Sequence, residues 1–77
     1  MQLNIITPNS TIYTGEADLV QLPGIDGLFE ILTRHAPLIA ALGKGKIKIE
    51  LNGKNEFFEI DGGIVQVIND QISVLAE

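Results

Sequence analysis

Lys46-Ile47-Lys48-Ile49-Glu50-Leu51 alternates strictly, with an apolar side chain at every second position and a charged one between. Successive side chains of an extended chain point to opposite faces, whereas a helix would spread these residues around its axis. The stretch therefore predicts a strand with one face buried and the other in water. The next apolar segment, Phe57-Phe58-Glu59-Ile60, is reached through Asn52-Gly53-Lys54-Asn55, residues that accept positive φ and reverse the chain. Two registers compete. A two-residue Asn52-Gly53 loop sets Ile49 against Glu56, while a four-residue loop sets Ile49 against Phe58 and Ile47 against Ile60. The four-residue loop matches apolar side chains on one face and is the register expected here.

Further along, an Asn69-Asp70 turn of two residues pairs Val67 with Ile72 and Val65 with Val74, leaving Gln66 and Ser73 on the opposite face. Upstream, Leu3 and Ile5 alternate with Gln2 and Asn4. A second strand is expected from Ala17 to Leu22, bounded by Gly15 and a Pro23-Gly24 turn, and a third from Leu28 to Leu32. Leu38 to Leu42 is apolar throughout, which suits a strand covered on both faces. Gly62-Gly63 marks a bend or bulge. Eight or more short strands and no amphipathic stretch of helical length predict an all-β fold, an antiparallel β-sandwich or flattened barrel of about eight to ten short strands. Residues 1–77 read as one such domain, with no linker, repeat or low-complexity tract.

A chain of 77 residues buries only about 60 to 65 % of its unfolded surface, and a core of that size rarely supplies more than ~3 to 5 kcal/mol. With no cysteine and one histidine, neither a disulfide nor a metal cluster can add to it, so packing against a larger partner would help. The net charge of −5, with five scattered basic residues, argues against nucleic-acid backbones and anionic lipid as partners. No stretch approaches the roughly 20 apolar residues of a membrane span, and the first residues lack a secretory signal, which reads as a soluble intracellular protein.

Catalytic chemistry finds little support. Histidine is the side chain whose charge changes near neutral pH. His35, however, has no cysteine to act with and no adjacent serine or aspartate, and its ring is expected to make an ordering or partner hydrogen bond. Glu59 and Asp61 share a strand face with Phe57 and read as solvated charges, as acidic residues mostly are. Gly43-Lys44-Gly45-Lys46 lacks the Ser or Thr and the following helix of a phosphate loop, so it reads as a turn. No catalytic residue, cofactor or metal ligand is assigned. Pro37 holds Ala36 extended, so His35-Ala36-Pro37 should form a rigid loop presenting His35 in a fixed direction.

These residues resemble the epsilon subunit of F-type ATP synthases, in particular its N-terminal sandwich domain, almost end to end. The likeness rests on Gly27, Phe29, Ile31 and Leu32 leading into His35-Ala36-Pro37-Leu38, and on Gly45 opening the next strand. It continues through Gly62-Gly63-Ile64-Val65-Gln66-Val67 to Val74-Leu75-Ala76. The resemblance implies a non-catalytic rotor component that binds the gamma subunit and rests on the polar loops of the membrane c-ring. It implies a site at the cytoplasmic face of the bacterial plasma membrane, reached only through the complex. By motif position it implies a docking end built from Gly27, Leu28, Phe29, Glu30, His35, Ala36 and Pro37. Leu28 itself stands between interface and core, because Leu28, Glu30 and Leu32 share a strand face. The family usually has glycine at Glu30 and proline at Thr33, so the loop is expected to take a different path, and Glu30 implies either an ordinary strand conformation or a local adjustment with its carboxylate exposed. The inhibitory and ATP-binding roles of the family belong to a C-terminal helical pair and are not assigned to these residues.

One alternative belongs to another class. Biotinyl and lipoyl carrier domains are also acidic, all-β and of this length, with a modified lysine at a hairpin tip, and Lys54 would be that lysine.

Overall fold

The period-two alternation becomes nine strands and no helix. They are β1 (Gln2–Ile6), β2 (Thr11–Glu16), β3 (Leu19–Gly24), β4 (Gly27–Leu32), β5 (Leu38–Leu42), β6 (Gly45–Leu51), β7 (Lys54–Ile60), β8 (Gly63–Ile68) and β9 (Gln71–Ala76). The computed structural model describes all 77 residues. One layer runs β2-β1-β9-β8-β5 and the other β4-β3-β6-β7, with the corner where Gly24 of β3 meets Leu42 of β5. Their inner faces share one core of 15 apolar residues, among them Leu3, Ile5, Val65 and Val74 from the first layer and Val20, Leu22, Ile47 and Ile49 from the second. No charged or polar side chain is buried there.

The two outermost strands, β2 and β7, are not hydrogen-bonded to each other. Tyr13 and Phe58 span that gap with ring centroids 5.8 Å apart and planes tilted by 55°, an aromatic contact that closes the flattened barrel with side chains instead of a ladder. All pairs are antiparallel except β1 with β9, which run parallel from Gln2 opposite Gln71 to Ile6 opposite Leu75. No turn links those strands, so no local signal announces their direction.

The β6–β7 hairpin takes the two-residue loop. Ile49 lies opposite Glu56, Ile47 opposite Phe58 and Gly45 opposite Ile60. Asn52 at φ 53° and Gly53 at φ 78° form the left-handed pair whose twist matches that of the flanking strands. That match outweighs the apolar pairing favoured above, because β7 is an edge strand and Glu56 stays exposed even though it faces Ile49. The β8–β9 hairpin has the expected register, with Asn69 at φ 50° and Asp70 at φ 62°.

Two further expectations change, and one strand, β2, was not expected. β3 continues through Pro23 and Gly24, and the chain reverses at Ile25-Asp26. β2 had no clean alternation to reveal it, because a register shift at Ile5/Ile6 and Gly15 interrupts the period. β5 is a strand, but it is covered on one face only, with Ile39 and Ala41 outward.

Asp18, just before β3, ties the start of that strand to the end of β6 and the β6–β7 turn within one layer. Its amide donates to Glu50 O at 2.7 Å, and its Oδ2 accepts the amide of Asn52 at 3.0 Å. Asp18→Ala removes a charged acceptor from a positive-φ residue and should cost about 1 kcal/mol, roughly 4 to 8 °C in Tm for a chain of this size. A urea titration showing a lower midpoint at unchanged slope checks it.

Candidate functional site

The residues expected to form one docking end are carried to opposite ends of the molecule. Gly27 pairs with Gly24 beside the Ile25-Asp26 turn, while Leu32, at the other end of the same six-residue strand, pairs with Leu19 and leads into the Thr33–Pro37 loop. At about 3.3 Å per residue, the four steps of β4 from Leu28 to Leu32 cover about 13 Å, half of the molecule's 26 Å length, and His35 lies in the turn beyond Leu32. The proximity in sequence misled, because an extended strand is the conformation that moves neighbours furthest apart.

At the first end, Leu28 is 67 % exposed and Ile25 equally so. The strand face shared by Leu28, Glu30 and Leu32 is the outer one, while Phe29 and Ile31 turn inward. Leu28 is therefore not a core residue. Glu30 sits in ordinary strand geometry, with its carboxylate exposed and accepting from Gln21 Nε2 at 3.3 Å. Of the two alternatives for Glu30, the ordinary strand conformation is the one found.

At the second end, His35, Ala36 and Pro37 are all exposed. The His35 amide donates to Leu32 O at 3.1 Å, closing a turn whose third residue, Arg34, has φ 65°. The ring Nδ1 donates to the Ala36 carbonyl at 2.7 Å, which fixes its direction. Thr33 and Arg34 thus hold a turn that proline and glycine would favour.

A surface that the sequence reading missed lies on the outer face of the first layer. Ala41, Ile64, Leu75 and Ile6 face one another in register across β5, β8, β9 and β1. Ile64 and Leu75 are 51 % and 57 % exposed, and Ile39, diagonal to Ile64, is 71 % exposed. Not one outward residue of these four strands is charged, in a chain where 19 % of residues are. The opposite outer face carries Glu30, Gln21, Lys48 and Phe57 in one row and Lys46 against Glu59 beside it. The signal was present as uncharged alternate positions in β8 and β9, but which strands adjoin them is not written locally.

No three of the carboxylates and the histidine converge on a point that could hold a metal ion. Lys54 is the first paired residue of β7, opposite Leu51, and the hairpin tip belongs to Asn52 and Gly53. A carrier lysine must project from the turn, so the carrier reading loses its geometric support.

The molecule is thus a small β-sandwich with one uncharged outer face bearing Ile6, Ile39, Ile64, Ile68 and Leu75, and a hairpin tip bearing Ile25 and Leu28. The family model of the ATP synthase delta/epsilon chain β-sandwich domain matches residues 1–77. The ATP synthase epsilon chain of Chlorobium limicola is 43 % identical over 77 residues, covering 99 % of this chain and 88 % of that one. Among solved structures, the Euglena gracilis mitochondrial ATP synthase OSCP/F1/c-ring assembly contains a chain that superposes with a TM-score of 0.90 at 18 % identity, over 96 % of this chain and 48 % of that one. The central stalk and c-ring of the Tetrahymena thermophila mitochondrial ATP synthase contains another, with a TM-score of 0.82 at 15 % identity, over 97 % of this chain and 61 % of that one. The chain belongs to the ATP synthase delta/epsilon family, among its epsilon chains. As an epsilon chain it is a non-catalytic subunit.

Proposed function

We propose that this domain is the rotor element that joins the gamma subunit to the polar loops of the c-ring, so that ion flow through the ring is coupled to ATP synthesis. The observation that carries the reading is the uncharged apolar row Ala41, Ile64, Leu75 and Ile6, separate from the exposed hairpin tip bearing Leu28. Depletion of charge with exposed apolar side chains is the mark of a protein interface, and a flat sheet face suits a large partner body. Gly27, Leu28, Phe29 and Glu30, with Ile25, are assigned to the ring contact. The sheet face, with His35, Ala36 and Pro37 at its far end, is assigned to gamma. The two layers, hydrogen-bonded within and packed against one core, give the stiffness that passing torque between two contacts demands. Membrane association follows only through that complex, at the cytoplasmic face in a bacterium.

Capture from detergent-solubilised membranes tests the reading. The tagged chain should bring down the gamma subunit together with the ring. Recovery without gamma would overturn it.

A further inference from the structure

Arg34 is the one positive-φ residue of this chain that is neither Gly, Asn nor Asp. A side chain longer than asparagine's in that region meets its own backbone, so the conformation persists only where the surroundings impose it, and such residues concentrate at ligand clamps and switches. What imposes it lies 36 residues away in sequence. Asp70 Oδ1 accepts the Arg34 amide at 3.0 Å, while Oδ2 stands 3.9 Å from the Met1 amino group. Asp70 is itself held at φ 62° in the two-residue β8–β9 turn, so its carboxylate is mounted on a rigid hairpin.

We infer that Asp70 is a positioning residue for docking: its carboxylate clasps the Arg34 amide and thereby sets the direction in which His35, Ala36 and Pro37 meet their partner. This inference rests on the gamma-docking reading above. The loop has only one other tie to the body of the domain, the His35 amide on Leu32 O, and that bond stays within the turn. Without the clasp, Arg34 is free to return to the ordinary region and swing the His35 ring away. The loop then spends only part of its time in the competent direction, and apparent affinity falls by that fraction. A charge-assisted hydrogen bond of this kind holds an equilibrium by about tenfold.

Asp70→Gly tests this, since glycine keeps the turn's positive φ while removing the carboxylate, and Asp70→Asn restores an acceptor oxygen without charge. Hydrogen exchange at the Arg34 amide, followed by NMR in the chain alone, should accelerate about tenfold in Asp70→Gly and return toward the original rate in Asp70→Asn. Binding to purified gamma subunit should weaken about tenfold in Asp70→Gly and recover in Asp70→Asn, with Tm moving by only a few degrees. A purely structural role would instead lower Tm and speed exchange throughout β8 and β9. Unchanged Arg34 exchange, or unchanged gamma affinity despite faster exchange, would overturn the inference. Failure of the unsubstituted chain to bind gamma would overturn the docking reading, and the exchange data would still decide whether the clasp holds the loop.

Discussion

Gly63→Ala should leave the chain mostly unfolded at 25 °C. Gly63 opens β8 with φ 149°, opposite Ala76 of β9, and a Cβ built there falls inside the van der Waals shell of the Leu75 carbonyl oxygen and 3.1 Å from Ala76 Cα. Both obstacles are backbone atoms of a strand paired on its two sides, with β8 and with β1, so neither can step aside without breaking a ladder. The unfavourable φ and the overlap together should cost on the order of 4 kcal/mol, comparable to all that a core of this size supplies. Gly53→Ala is the control. At φ 78° it is also strained, but nothing lies within 4 Å of its Cβ, so about 1 kcal/mol is expected. Far-ultraviolet circular dichroism during a thermal scan separates the two, and a Gly63→Ala protein melting within a few degrees of the original would refute the account.

Leu28→Asp and Ile64→Asp should break different functions in a chain that stays folded. Both side chains point outward, so neither leaves a cavity, and each substitution removes an apolar anchor and places a charge where a partner must exclude water. Loss of a central anchor commonly costs 2 kcal/mol or more, roughly thirtyfold in affinity, and a desolvated charge adds to that. Ile64→Asp should abolish capture of gamma. Leu28→Asp should retain gamma and loosen the ring contact, so that ATP hydrolysis proceeds with diminished ion pumping in reconstituted vesicles. Coupling unaffected by Leu28→Asp would remove the hairpin tip from the ring interface, and gamma capture unaffected by Ile64→Asp would remove the uncharged face.

Legibility in the sequence followed the range of the interaction that decided each feature. Alternation at Lys46–Leu51 and in β8 and β9 reports only whether a strand has one buried face, and that was read correctly. So was the Asn69-Asp70 turn, where turn chemistry and apolar pairing agree. At Asn52-Gly53 they disagree, and turn chemistry prevailed because at an edge strand an exposed glutamate opposite an isoleucine costs little. The family likeness was equally readable, since it rests on residues at fixed spacing: Gly27, Phe29, His35-Ala36-Pro37 and Gly62-Gly63.

What the linear order of residues determined, then, is the all-β class, most strand positions and membership of the epsilon chains, because backbone alternation, turn residues and motif spacing act within a few positions. Tertiary structure alone decided that β1 lies parallel beside β9, that Ile6, Leu75, Ile64 and Ala41 join into one uncharged face, that Leu28 and His35 stand at opposite ends, and that Asp70 reaches Arg34. Each of those depends on which distant strand becomes a neighbour, and that is settled by burying one shared core, a property of the whole chain that no short window contains.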